Sequence, residues 1–281
     1  MEQGFQNNFQ KEEQGIDIKD LFYKILRFWP FVLGGALIGL AIAFTVNRYT
    51  KDEFELSTLL AVEENNNNPL GSADNVISFT WSDKDPLQGR IAILQSYTQN
   101  LAVAKELGWE VAYWNTGRLV ESEVYTQAPY TVEFDKTVPQ PIGVRFNLVL
   151  NPKGFSISSE RKESVRLYDY QSEETVSLDT EVSVDDSYEY YEWIEAEGAR
   201  FRIIPNGTIN KSIEDHYFYF QTYEQIAKQG IRSLNASADS KGSELLRLSM
   251  KGYNKAKIAD FLNETVSQLR RFELDEKNLM A

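Results

Sequence analysis

The residues best suited to acid–base or nucleophilic chemistry are scarce in this chain. Its 281 residues include one histidine, His216, and no cysteine, which excludes thiolate catalysis, disulfides and clustered His/Cys metal sites. His216 follows Asp215, but neighbouring residues on a strand face opposite ways, and no serine is placed by a nucleophile motif. We therefore interpret His216 as a packing or surface residue.

A second candidate for chemistry is the segment 207–212, whose glycine, lysine and serine are ordered as in a phosphate-binding loop. Such a loop needs a glycine just before the lysine so that backbone N–H groups can approach the phosphates, and Asn210 occupies that place. We predict a hairpin turn here. The 42 acidic residues offer many carboxylate pairs, but no sequence feature selects one pair, and no calcium-loop pattern occurs. The sequence thus predicts no catalytic residue, no cofactor and no metal site.

Residues 188–193 alternate aromatic and acidic side chains. Such rings could stack against sugars, and the tyrosines could be phosphorylated. Because the same alternation is typical of a half-buried strand, we interpret the segment as a strand.

The composition describes a folded, acidic protein. Hydrophobic residues make up 42% of the chain and charged residues 25%, so it has enough apolar surface to form a core. Lysine and arginine total 29 against 42 aspartates and glutamates, and the formal net charge is -13. A protein of this charge is repelled by phosphate backbones, so nucleic acid is excluded as a partner.

The first structural element that the sequence indicates is an uncharged run at residues 28–47. Twenty helical residues extend about 30 Å, the thickness of a bilayer core, so we predict a transmembrane helix. A cleaved signal peptide is the main alternative, but its apolar part is typically about 7 to 15 residues and follows a short basic leader. The run here is longer and follows a long polar segment.

The basic residues beside this run predict its orientation. Lys19, Lys24 and Arg27 precede it closely, whereas Arg48 and Lys51 are the only basic residues for some distance after it. By the positive-inside rule the N-terminus is expected in the cytoplasm and the acidic remainder outside.

A stripe of small residues follows one side of the predicted span. Gly35, Gly39 and Ala43 are spaced by four, which would let two helices approach closely in lipid. The alternative, that glycines are simply common in membrane helices, has equal weight, because one such pattern is a weak signal.

The external part begins with a predicted strand at residues 54–62, a loop at 63–84 and a helix from Asp85 to about Gly108. Ile91, Leu94 and Leu101 share a face of this helix, which we assign either to core packing or to an oligomer contact.

The remainder of the external part is predicted to be mostly strands over residues 120–221, then a helix from Thr222, a strand at 245–250 and a final helix from about Asn254. The final helix carries apolar residues at spacings of three and four, as coiled coils do. The sequence therefore predicts an α+β protein with an antiparallel sheet and packed helices. Its segments are a cytoplasmic N-terminus (1–27), a transmembrane helix (28–47), an α+β domain (48–252) and the start of a long helix (253–281).

Several segments together resemble one protein family. They are DIKDLFYKILR (17–27) with Tyr49, ELSTLL (55–60), IAILQSY (91–97), PQPIGV (139–144), EWI (192–194), LRLSMKG (246–252) and ADFLN (259–263). With the preceding span, they resemble the Wzz-type polysaccharide chain-length determinants, also called polysaccharide co-polymerases. The likeness is to the exopolysaccharide-transport branch, which is often fused to a cytoplasmic tyrosine autokinase.

The resemblance implies an α+β domain beside the bacterial inner membrane, on its periplasmic side, and ring-like homo-oligomers that set polymer length or couple synthesis to export. The implied partners are a polysaccharide polymerase or an outer-membrane export channel, membrane lipid and the growing polysaccharide. No bond chemistry is implied for this chain. The second span and the kinase loops of the family are missing, so we expect an N-terminal part of a longer protein.

Two other classes of function stay open at this level. A membrane-anchored sensory or sugar-binding domain would share the span and the acidic exterior. A periplasmic enzyme such as a glycosidase would need a cleft with two selected carboxylates.

Overall fold

A computed structural model describes residues 28–61, 86–117, 120–159, 165–178, 182–196, 198–240 and 245–279. The chain forms two compact units, Met1–Thr50 and Lys51–Ala281. The predicted α+β class with antiparallel sheets is confirmed. The boundary predicted after residue 252 does not separate compact units, since residues 253–279 lie in the second unit with the sheets.

The described part of the first unit is the helix α1, Trp29–Tyr49. Its mean hydropathy reaches 2.0 and none of its residues is buried, so it is long and apolar enough to cross a membrane. Pro30 lies in the first turn, where its missing N–H has no helical partner to lose. The helix ends where the N–H and the hydroxyl of Thr50 both donate to the Val46 carbonyl, at 2.9 and 2.7 Å.

The described residues of the second unit include four α-helices: α2 Pro86–Leu94, α3 Tyr97–Leu107, α4 Tyr223–Ser233 and α5 Lys255–Leu279. The prediction of one helix up to about Gly108 was wrong, because the chain bends between α2 and α3. Ser96 caps α3 by accepting from the Gln99 N–H, and the Asn100 amide donates to the carbonyls of Leu94 and Ser96 at 2.9 and 2.8 Å. These bonds satisfy the backbone groups that the break exposes.

Fifteen strands are found among the described residues. They are β1 Phe54–Ala61, β2 Val111–Asn115, β3 Ser122–Glu123, β4 Tyr130–Phe134, β5 Gln140–Pro141, β6 Phe146–Asn151, β7 Gly154–Ser159, β8 Val165–Asp169, β9 Glu174–Leu178, β10 Asp185–Glu189, β11 Trp193–Ala196, β12 Ala199–Pro205, β13 Ile213–Phe220, β14 Leu234–Ala238 and β15 Leu245–Gly252.

These strands form four antiparallel sheets. Sheet A has the order β1-β15-β14, sheet B β10-β7-β6-β13-β2-β3, sheet C β11-β12-β4 and sheet D β5-β8-β9. The predicted loop at 63–84 and the end of the predicted first strand, Val62, lie outside the described residues.

Sheet A joins the two ends of the second unit. Phe54 pairs with Gly252 and Ala61 with Leu245, so β1 lies along the full length of β15. Residues alternate along β1 between half-buried and exposed, and α5 packs on both β1 and β15. The alternation follows from the pleat, which turns every second side chain toward the helix.

Sheets B and C enclose an aromatic core. The rings of Phe146 and Phe218 stack with centroids 5.1 Å apart, and Phe201 of sheet C packs edge-on against Phe146 at 5.2 Å. All three side chains are fully buried. Inward-facing aromatic residues on paired strands contribute both large apolar area and favourable ring geometry.

Two local predictions in the β region were wrong. Residues 188–193 are not one strand, because Tyr191 takes φ +70° and the chain turns there from β10 in sheet B to β11 in sheet C. Residues 207–212 do not close a hairpin, because β12 and β13 lie in different sheets. In both places, pairing with distant strands overrides the local pattern.

The apolar stripe of α5 packs inside the second unit. Ile258, Phe261, Leu262 and Leu269 are buried, and Val266 is half-buried against the same core. Phe272, one turn further on, is exposed. The spacing of three and four in this helix therefore serves core packing as far as Leu269.

Gly230 of α4 lies where α3, α4 and α5 pack closely against one another. A Cβ at this position would lie 2.3 Å from Cζ of Phe261 and 3.0 Å from Oδ1 of Asn100. We expect Gly230→Ala to destabilise the protein by about 1–2 kcal/mol, because overpacking outweighs the gain in helix propensity. The measurement is thermal unfolding of the detergent-solubilised chain by near-UV circular dichroism. Gly89→Ala in α2, with open space around the new Cβ, is the control and should not lower the midpoint.

Candidate functional site

A cleft of about 760 Å³ lies between α4, α5 and sheet A of the second unit. Its floor is apolar and includes Trp109, Ile226 and Phe261, all buried. Its rim is polar and carries carboxylate, amide and cationic side chains from five separate segments of the chain. An apolar floor with a polar rim is the usual form of a small-molecule site.

A partly buried ion pair crosses the wall of this cleft. The Lys257 ammonium, at the start of α5, donates to the Glu123 carboxylate of β3, and the two side chains are only 12% and 15% exposed. The same ammonium lies 4.7 Å from the ring centroid of Trp109. The lysine therefore ties α5 to sheet B through both a charge and an aromatic face.

Tyr125 continues this network. Its hydroxyl accepts from the Trp109 indole N–H at 3.1 Å and donates to Oδ2 of Asp260 at 2.6 Å. Burial and then the bond to Asp260 raise the pKa of Tyr125 to about 12, so the phenol stays protonated at neutral pH. Its φ of +46° is unusual for a residue with a side chain, and its two bonds hold it there.

Several charged side chains at the rim of the cleft make no close ion pair within the described part of the chain and can bind a ligand. Among the described residues, Glu53 and Arg232 have no ion-pair partner, and Glu55 is 3.8 Å from Lys251 with both side chains exposed. The exposed Tyr253 ring completes the rim and lies 5.9 Å from the Lys51 ammonium. This arrangement can hydrogen-bond hydroxyl groups and offer one aromatic face, and no group of acidic or histidine residues in the described ranges is placed to hold a metal.

His216, considered for acid–base chemistry, is buried. Its Nδ1 lies 3.0 Å from the Glu214 carbonyl oxygen and its Nε2 3.4 Å from the Asn115 amide nitrogen. Asp215 beside it takes φ +67° and is exposed. The histidine is thus a packing residue.

The residues singled out for assembly or topology do not lie in the cleft. Gly35, Gly39 and Ala43 lie on α1. On α2 and α3, Leu94 is fully buried, and Ile91 and Leu101 are half-buried against the core. The topology determinants, which lie outside the described residues, are Lys19, Lys24 and Arg27.

The cleft itself was missed by sequence reasoning. Glu123 and Lys257 are 134 positions apart, and no motif links them. The sequence feature most closely related to the cleft is Gly108, which ends α3 with φ +63° and is followed by Trp109. That signal indicates a helix end but not what the indole contacts.

Comparison with known proteins adds no assignment: no family model matches the chain, and no curated protein matches it.

The ion pair of Lys257 and Glu123 can be tested by a double-mutant cycle. Lys257→Met should destabilise the protein by about 2 kcal/mol, because it leaves a poorly solvated carboxylate without its counter-charge. Adding Glu123→Gln should recover part of that loss. The measurement is the unfolding midpoint in detergent, with Lys251→Met as the exposed matched control, expected within about 0.5 kcal/mol of wild type. Equal losses for both lysines would contradict the role given to Lys257.

Proposed function

We propose that this chain is a membrane-anchored polysaccharide co-polymerase that regulates the chain length or export of an exopolysaccharide, capsule or O-antigen by assembling with copies of itself. The observation that carries the proposal is the placement of the segments that resemble the Wzz-type family. Residues 55–60 form most of β1 and pair with residues 246–251 of β15, and residues 259–263 lie on α5, which packs on both strands. Segments that are scattered in the sequence thus belong to one structural unit.

The membrane anchor supports the same proposal. Four residues separate the end of α1 from the start of β1, so the span passes directly into the domain in the order that the family resemblance implies. In this proposal the N-terminus is cytoplasmic, with Lys19, Lys24 and Arg27 holding the orientation. The α+β domain then lies in the periplasm, against the bacterial inner membrane.

Self-association would use two features that do not pack within the α+β domain. The stripe of Gly35, Gly39 and Ala43 suits close pairing of α1 helices in lipid. Beyond Leu269 the exposed Phe272 and Leu279, which are seven positions apart, suit a coiled-coil-like continuation of α5. The chain has no catalytic part in this proposal. A polymerase or an outer-membrane export channel acts on the polymer, and any tyrosine autokinase belongs to a longer protein.

The test is deletion of the gene in its native bacterium. We expect a changed length distribution or a changed surface level of one polysaccharide, resolved by gel electrophoresis of the extracted polymer. Re-expression of the full-length gene should restore the original profile. An unchanged polymer profile would refute the proposal.

A second candidate is a membrane-anchored sugar-binding domain, which the cleft favours because it combines hydrogen-bonding rim groups with the exposed ring of Tyr253. If so, the purified chain should bind short oligosaccharides in calorimetric titrations. Tyr253→Ala should then weaken binding about tenfold by removing an aromatic contact. Tyr97→Ala, at an exposed tyrosine outside the cleft, is the control. A monomeric chain that binds sugar would favour this candidate over the first.

A further inference from the structure

A second groove, of about 450 Å³, lies between β1 and α5. Leu60 of β1, which is half-buried, and Leu274 of α5, which is 58% exposed, line it. Two of its other lining residues are Arg270 and Arg271, and no acidic side chain lines it among the described residues. The groove is thus an exposed apolar surface with positive charge on one side.

The positive charge of this groove is largely uncompensated. Arg270 has no ion pair within the described ranges, and Arg271 reaches Glu106 only at 3.4 Å with both side chains about half exposed. Exposed pairs of this kind contribute little and leave the cation available to another partner.

The acidic counterpart is in the same chain. Between Arg166 and Arg200 the sequence has eleven acidic residues and no lysine, arginine or histidine. This stretch contains the turn from β10 to β11, where Tyr191 is 58% exposed between Glu189 and Glu192. A block of one charge sign in an ordered region indicates an interaction surface for the opposite sign.

The turn is held rigidly. The Tyr191 N–H donates to the Ile203 carbonyl at 3.0 Å, and the Glu189 N–H donates to the Glu192 carboxylate at 3.1 Å. β10 is the edge strand of sheet B and β11 the edge strand of sheet C, so the turn stands at the border of two sheets. A preorganised turn loses little conformational entropy when it docks.

We propose that the groove between β1 and α5 binds the β10–β11 turn of a second copy of this chain, with Tyr191 against Leu60 and Leu274 and the turn carboxylates facing Arg270 and Arg271. The inference rests on the proposed function, because it specifies the surface through which copies assemble. Within one chain the turn belongs to sheets B and C and the groove to sheet A and α5. A contact between two different surfaces is head-to-tail, and such contacts generate rings when the rotation between copies closes.

The test is a charge swap in the full chain, with assembly measured by light scattering of the detergent-solubilised protein. Arg270→Glu with Arg271→Glu, and separately Glu189→Lys with Glu192→Lys, should each weaken self-association on the order of tenfold or more. Combining the two reversals should restore it, because the charges again oppose each other. Raising the salt from 0.1 to 1 M, which shortens the screening length from about 10 to about 3 Å, should weaken wild-type assembly.

Two further variants guard against misfolding and general charge effects. Lys211→Glu with Lys228→Glu makes the same change in net charge on exposed lysines outside both the groove and the β10–β11 turn and should leave assembly unchanged. Tyr191→Gly should reduce assembly without lowering the unfolding temperature, because glycine takes φ +70° without strain.

The outcomes separate this inference from the proposed function. If neither charge reversal weakens assembly, or if the combined swap does not restore it, the inference is overturned. The co-polymerase function is then still tested separately by the polymer-length experiment. A wild-type chain that stays monomeric at every concentration also overturns the inference. An unchanged polymer profile after gene deletion overturns the proposed function, whatever the charge swap shows.

Discussion

The antiparallel pairing of β1 with β15 is the contact on which the rest of the second unit depends. It joins the first strand after α1 to a strand near the far end of the chain, and α5 then packs on both. Closing so long a loop costs conformational entropy, which the apolar contacts of Leu248, Ile258 and Phe261 offset by burial. The cleft between α4, α5 and sheet A and the groove between β1 and α5 both form because this pairing brings α5 against sheet A.

Charge is distributed unevenly over this framework. Several basic residues of the final helix face acidic residues of earlier segments, as in the pairs Lys257–Glu123 and Arg271–Glu106. The stretch that contains β10 and β11 has no basic residue of its own. In an acidic chain, such a separation of signs makes the surface charge asymmetric, and under the proposed self-assembly this asymmetry favours one orientation between copies over another.

The accuracy of the sequence predictions depended on how local each element is. The predicted strand at 245–250 lies within β15, and the helix predicted from Thr222 coincides with α4, since strand alternation and helix capping act over a few positions. The bend between α2 and α3 was not predicted, because it depends on Asn100 bonding two carbonyls across the break. The turn at Tyr191 was missed because the flanking strands pair with different sheets.

The sequence by itself determined the α+β fold class and the apolar helix near the N-terminus. An uncharged run of bilayer length, an acidic composition and alternating strands between helical segments are properties of neighbouring residues, and they follow from hydropathy and periodicity. Only the tertiary structure decided that the stripe on α5 packs inside the domain, that Lys257 meets Glu123 and Trp109, and that a basic groove lies beside β1. Those contacts join residues more than a hundred positions apart, and their energies arise only when distant segments exclude water together.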